Sequence, residues 1–268
     1  MLPPIFSGFH PHDSPKRSCC SDTPTSLTRD GFEWSIQHNF LAQVLLVQLL
    51  FDCFDRVSST TQAGRIILMS EEAHRGGLPL LDISAGTFPW QFTHVVSSLS
   101  DWLDQYRWSK LFQLLYLFEL QRRLTLRSAN SPERFGLDPV LCACSQGSPL
   151  NGCCQARWHA IRAPRWMRPF LYLFWLIGTV FGQALDQVAA TPVLCAVDDS
   201  LNTWKLAETD PRRRISYSMR SVVYVHQCRP RSTLLTRHWE APYLLRSSCA
   251  LWEATQAALS PYLREQFI

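Results

Sequence analysis

The residue types able to do chemistry are led by ten cysteines, at positions 19, 20, 53, 142, 144, 153, 154, 195, 228 and 249. Cys142, Cys144, Cys153 and Cys154 cluster, and His159 follows as a further donor. Thiolates and imidazoles are zinc ligands, but CxC and CC steps differ from the CxxC knuckles that fit a tetrahedral ion. The cluster is therefore read as free loop thiols, with no metal ligand assigned. Ser84, in Asp82-Ile83-Ser84-Ala85-Gly86-Thr87, follows a short apolar run and precedes a glycine, as a nucleophile on a strand-to-helix turn would. It lacks the first small residue of a GxSxG elbow, and its sequence neighbours His74 and His94 make no triad by proximity along the chain. Ser84 reads as a turn serine. The acid pairs Glu71-Glu72 and Asp198-Asp199 read as solvated or helix-capping groups. GxGxxG, GxxxxGK[ST] and HExxH do not occur. The sequence thus assigns no catalytic, cofactor-binding or metal-binding residue.

These groups need a scaffold, and composition limits which one. The chain has 268 residues, 46% hydrophobic and only 18% charged, which excludes a collagen, a coiled coil or a mostly disordered chain. The net charge of +4 is too mild to imply a nucleic-acid partner. Of the basic residues all but Lys16, Lys110 and Lys205 are arginine, which fits a phosphate-bearing surface or, more plainly, a codon bias. Met1-Leu2-Pro3-Pro4-Ile5-Phe6 has neither the basic start nor the apolar run of a secretory signal. The expected setting is reducing, cytoplasmic or membrane-associated and not secreted, with free thiols.

Along the chain, residues 1–30 are rich in Pro, Ser, Thr and His and read as a tail. Residues 31–127 form a helical and α/β segment. Within it, the uncharged stretch from Trp34 to Phe51 predicts a buried helix over 32–56, with a membrane segment as the alternative. Arg65–Met69 predicts a strand, residues 76–90 a turn, and Asp101–Arg127 an amphipathic helix with cations near its end. Residues 128–168, rich in Cys and Pro, read as an irregular loop. Residues 169–185 carry no formal charge and follow Arg157, Arg162, Arg165 and Arg168. They form either a core helix or a short membrane anchor. Thr191–Val197 and Ser221–Val225 predict strands, and Ala250–Gln266 a helix that Pro261 should kink or end. The alternation favours an α/β fold.

At the C-terminal end, Ser221–Val225 is followed by Arg246-Ser247 and then Cys249-Ala250-Leu251-Trp252-Glu253-Ala254-Thr255-Gln256-Ala257. This stretch of about 40 residues resembles patatin-like phospholipases, especially the fungal branch, with Cys249, Leu251, Trp252, Glu253, Ala254 and Ala257 in matching positions. The resemblance implies a partial three-layer α/β sheet with flanking helices and a serine–aspartate lipid acyl hydrolase. The chain departs from that pattern at the elbow and oxyanion glycines, and it stops at Ile268 without an Asp-Gly-Gly element. Residues 169–268 are then expected to form part of an incomplete patatin-like domain, and the Trp-Glu-Ala helix is scaffold in which Trp252 and Ala257 pack a core.

Three expectations follow. The first is a truncated or degenerate patatin-like hydrolase, catalytically incomplete, with a lipid or membrane surface as partner. The alternative is a membrane-associated, non-enzymatic protein anchored by residues 169–185. An orphan reading frame without a stable fold is the third.

Overall fold

The computed structural model describes residues 27–53, 64–77, 99–130, 139–145, 166, 168–170, 172–173, 176, 185–201, 222–231 and 242–264. Four strands make one sheet in the order β1 (Arg65–Met69), β2 (Val140–Ser145), β3 (Val223–His226), β4 (Arg229–Arg231). The first three run parallel, with Arg65 opposite Val140 and Cys142 opposite Val223. β4 turns back antiparallel. Its hairpin turn, Gln227-Cys228, has φ of 50° and 58°, the left-handed pair that a two-residue turn matched to strand twist requires. The Cys228 amide donates to Thr191 Oγ1 at 3.2 Å, which ties this strained turn to a neighbouring helix.

Helices cover both faces. On one lie α1 (Trp34–Ile36), which runs through a π turn (Gln37–Leu41) into α2 (Ala42–Leu49), together with α4 (Leu99–Asn130) and α6 (Pro242–Arg264). Short α3 (His74–Gly77) packs on α4. Phe40, Leu115, Phe118, Leu141, Tyr224 and Leu251 share the core on this face. On the other face α5 (Leu185–Val197) and a 3-10 turn (Asp199–Leu201) enclose a smaller core of Val140, Cys142, Cys144, Cys195 and Val225. β2 is buried along its whole length because both its faces are covered. The expected α/β architecture, a sheet with flanking helices on both faces, is what the chain forms.

The elements depart from expectation where tertiary packing outweighs local pattern. The 101–127 helix extends to 99–130 and is buried all round from Leu111 to Leu120 rather than on one stripe, since sheet, α1 and α6 surround it. The irregular 128–168 segment contains β2, whose Cys-Ala-Cys centre hid a strand. Thr191–Val197 is helix, not strand. Pro192 costs α5 one backbone bond, but the helix begins upstream and docks on the sheet. α6 starts at Pro242, suited to a first helical turn, and runs through Pro261, where the Ser260 hydroxyl donates to the Ala257 carbonyl (3.1 Å) that proline leaves without its usual amide. The described residues within 168–176 are helical, with Phe170, Leu173 and Leu176 exposed. Among the described residues no helix is long and apolar enough to cross a membrane.

Candidate active site

Parallel strands direct their carboxyl ends to one edge, the place where open α/β sheets bind ligands. Here that edge brings together Met69 to Glu72 after β1, Ser145 at the end of β2 and Tyr224 and His226 of β3. α4 lies across it and supplies Tyr106 and Lys110, four residues apart and so on one helix face.

The Tyr106 hydroxyl donates a close hydrogen bond to the Glu71 carboxylate. Lys110 Nζ donates to the Met69 carbonyl at 2.9 Å and lies 5.7 Å from the Tyr106 ring centre. The Ser70 hydroxyl donates to the Lys110 carbonyl at 3.2 Å, so β1 and α4 are pinned to each other at this point. Burial, and then the Glu71 carboxylate, push the Tyr106 hydroxyl well above the usual tyrosine range. Burial also lowers the Lys110 ammonium, with Glu71 and Cys144 acting against it.

A second cluster adjoins the first. Glu72 Oε1 accepts from the Tyr224 hydroxyl at 2.8 Å, Arg75 pairs with Glu72, and His226 Nδ1 stands 3.1 Å from Ser145 Oγ and 3.6 Å from Glu72. Burial raises the Glu72 carboxyl, but bonds from Tyr224 and Arg75 outweigh it and the net direction is down. His74 is fully buried, with Nδ1 2.6 Å from the Glu71 carbonyl and its ring edge-on to Tyr224. Burial holds it toward the neutral form. Among the described residues, Nε2 of His74 has no hydrogen-bond partner.

Several residues singled out in the sequence lie elsewhere. Ser84, His94, Cys153, Cys154 and His159 fall outside the described residues. Glu71 and Glu72, read as solvated, are the carboxylates of the two clusters. Asp198 accepts from the Ser200 amide at 2.8 Å, the capping role expected, while Asp199 pairs with Arg65 at 3.1 Å. Cys142 and Cys144 lie on the opposite face of the sheet beside Cys195, and among the described residues no group of three His, Cys, Asp or Glu is placed to hold a metal. Tyr106 and Lys110 were passed over. Their signal was a tyrosine and a lysine at helical spacing on the helix that follows β1.

The Trp-Glu-Ala helix is scaffold. Trp252 stacks on Tyr116 (centroids 5.1 Å apart, planes 5° apart) and lies 4.6 Å from the Arg123 guanidinium. Ala257, expected to pack, faces outward. Arg246 and Ser247 belong to α6 itself rather than to a separate element before it.

The class set by this geometry is a parallel α/β sheet with a tyrosine–lysine pair at its carboxyl edge. The chain is similar to WW domain-containing oxidoreductases: 30% identical over 175 residues to that of Homo sapiens and 31% over 188 residues to that of Danio rerio, matches covering 65% and 68% of this chain. It is also 26% identical over 186 residues (64% of the chain) to the short-chain dehydrogenase fogG of Aspergillus ruber. The matches cover 36%, 38% and 46% of these relatives, so the chain spans less than half their length. No protein-family model and no solved structure matches the chain. These likenesses overturn the patatin-like reading. The helix behind that reading is a packing motif, and relatives over two thirds of the chain are oxidoreductases rather than lipid hydrolases. The membrane-anchored, non-enzymatic alternative is set aside with it.

Proposed function

We propose that this chain is a domain of the short-chain dehydrogenase kind in which Tyr106 exchanges a proton with a substrate oxygen. The observation that supports this most is the Tyr106–Lys110 pair at the carboxyl edge of the parallel strands, in a chain whose relatives bear the names dehydrogenase and oxidoreductase. Reducing a carbonyl places a hydride on carbon and a proton on oxygen. A neutral phenol supplies that proton, and the nearby ammonium stabilises the tyrosinate left behind. The Met69 carbonyl holds Lys110 in place for this.

Glu71 holds Tyr106 in its resting state. Its carboxylate accepts from the Tyr106 hydroxyl and disfavours tyrosinate, so Tyr106 rests as the neutral phenol. A substrate oxygen must displace Glu71 from the hydroxyl before the proton can pass. A dehydrogenase draws its hydride from a redox cofactor. The sequence has no GxGxxG, and among the described residues no glycine-rich turn leads from a strand into a helix. No residue is assigned to a dinucleotide, and no step is routed through one.

The test is a screen of aldehydes and ketones with reduced nicotinamide cofactors, using the whole chain and Lys110→Met. Carbonyl-dependent oxidation of the cofactor that Lys110→Met lowers at least about tenfold supports the reading. Equal rates in the two, or no turnover even in Glu71→Ser, refute it.

A further inference from the structure

The described residues within 168–176 turn an apolar side outward. At about 100° per residue, Pro169, Phe170, Tyr172, Leu173 and Leu176 fall within an arc of about 160° of the helix, and all five are exposed. Phe170 is 67% and Leu173 55% exposed, and Trp166, in the turn just before, is 72% exposed. Every described residue in that arc is apolar or aromatic. A helix of a folded domain normally buries such a stripe and gives water its polar side. Apolar residues scattered singly over a surface are ordinary, but a contiguous apolar face marks a surface that something else covers.

The charges around this face identify what covers it. From Pro139 to Leu185 the chain has no aspartate and no glutamate, and its only full charges are Arg157, Arg162, Arg165 and Arg168. A second copy of the chain would set this positive charge against itself. Arginine matches phosphate through its planar fork. Tryptophan and tyrosine are best placed where hydrocarbon meets headgroups, since one end of each ring is apolar and the other polar. An anionic bilayer offers both at once, with a layer of phosphate above the edge of the hydrocarbon. The width of the face agrees. A protein groove grips a narrow row of anchors at i, i+3, i+4 and i+7, whereas a fluid layer closes around nearly half of a helix.

We propose that the exposed face of residues 166–176 docks on the surface of an anionic lipid bilayer. Trp166, Phe170 and Leu173 enter the outer edge of the hydrocarbon, and the preceding arginines, with Arg168 half-buried beside the arc, hold the headgroup phosphates. The helix lies in the plane of the interface and does not cross it, in keeping with the absence, among the described residues, of a helix long and apolar enough to do so. One short face and a few arginines give reversible, salt-sensitive docking. The inference does not depend on the role given to Tyr106.

The test sediments the whole chain with vesicles of phosphatidylcholine alone and with vesicles in which about a third of the lipid is phosphatidylserine. Binding to the phosphatidylserine vesicles is expected to be about tenfold or more tighter, and to fall several-fold when salt rises from about 0.1 M to about 0.5 M. Phe170→Ser/Leu173→Ser should weaken it by about tenfold or more, while Leu245→Ser, at an exposed apolar position on α6, leaves it unchanged. No sedimentation with the anionic vesicles, which leaves a protein as the occupant, overturns the proposal, as does binding that ignores lipid charge or equal binding by the double variant. Gel filtration showing a dimer that the double variant converts to a monomer also overturns it, since a second copy then covers the face. Both substituted side chains are exposed, and the lipid-charge and salt comparisons use the unsubstituted chain, so the test stands even if a variant fails to fold.

Discussion

Replacing Glu71 by glutamine should release Tyr106. The two side chains share a hydrogen bond in which the acceptor is a carboxylate, and bonds to charged groups contribute about 1.5–3 kcal/mol. At about 1.4 kcal/mol per pKa unit, losing that charge should lower the Tyr106 hydroxyl by about 1–2 units. Burial of the ring, the larger influence, stays in place, so the hydroxyl should remain above the ordinary tyrosine range. The assay is alkaline ultraviolet titration of tyrosinate. The chain has seven tyrosines, so the Tyr106 signal is taken as the difference between each protein and its Tyr106→Phe counterpart. The quantity compared is the fraction of Tyr106 ionised at the highest pH at which both proteins stay folded. Glu71→Gln should show several-fold more tyrosinate there. Equal fractions would mean that the carboxylate does not govern the phenol, and the role given to Glu71 in holding Tyr106 protonated would fail.

Three further outcomes follow from the packing. Glu119 is fully buried in α4 against Arg122 (2.6 Å) and Arg123 (2.8 Å), which are partly exposed. Removing both arginines strands a buried charge and should cost about 3–5 kcal/mol, whereas Glu119→Gln should cost less, about 1–3 kcal/mol, in denaturant melts. The reverse order would contradict the account of α4. Burial raises Glu119 and Glu72, but their arginine and tyrosine partners outweigh it, so both folded-state values lie below the ordinary 4.5. Their stabilisation is therefore complete above that value and lost as pH falls through the lower folded-state values, so the melting temperature should drop below about pH 4.5 and less steeply in Glu119→Gln. Trp252→Ala removes the stack on Tyr116 and the contact with Arg123. It should cost about 2–4 kcal/mol in thermal or denaturant unfolding while leaving the Tyr106 titration unchanged.

The sequence made the scaffold more legible than the site. Arg65–Met69 shows its strand through β-branched residues between a charge and a serine, and Asp101–Arg127 shows its helix through apolar residues at helical spacing, although its burial all round comes from the sheet, α1 and α6 and not from one apolar stripe. β2 was hidden because Cys-Ala-Cys has weak strand propensity, and only burial between two helical layers makes it a strand. α5 was misread because Thr191, Pro192 and Val193 favour extended chain locally, while docking on the sheet decides for helix. The site escaped for a different reason. Tyr106 and Lys110 lie one helical turn apart and were legible as a pair, but Glu71 is 35 residues from Tyr106 and meets it only when β1 and α4 pack, so no window along the chain shows the whole cluster. The Trp-Glu-Ala signature misled in the opposite sense, since its spacing reflects how α6 packs on α4 and carries no chemistry.

The central claim is that Tyr106 delivers the proton. It is tested most directly by comparing carbonyl-dependent oxidation of reduced nicotinamide in the chain and in Tyr106→Phe, with circular dichroism showing both folded. The account predicts a loss of about a hundredfold or more in Tyr106→Phe. A Tyr106→Phe protein that reduces carbonyls at the unsubstituted rate would contradict it.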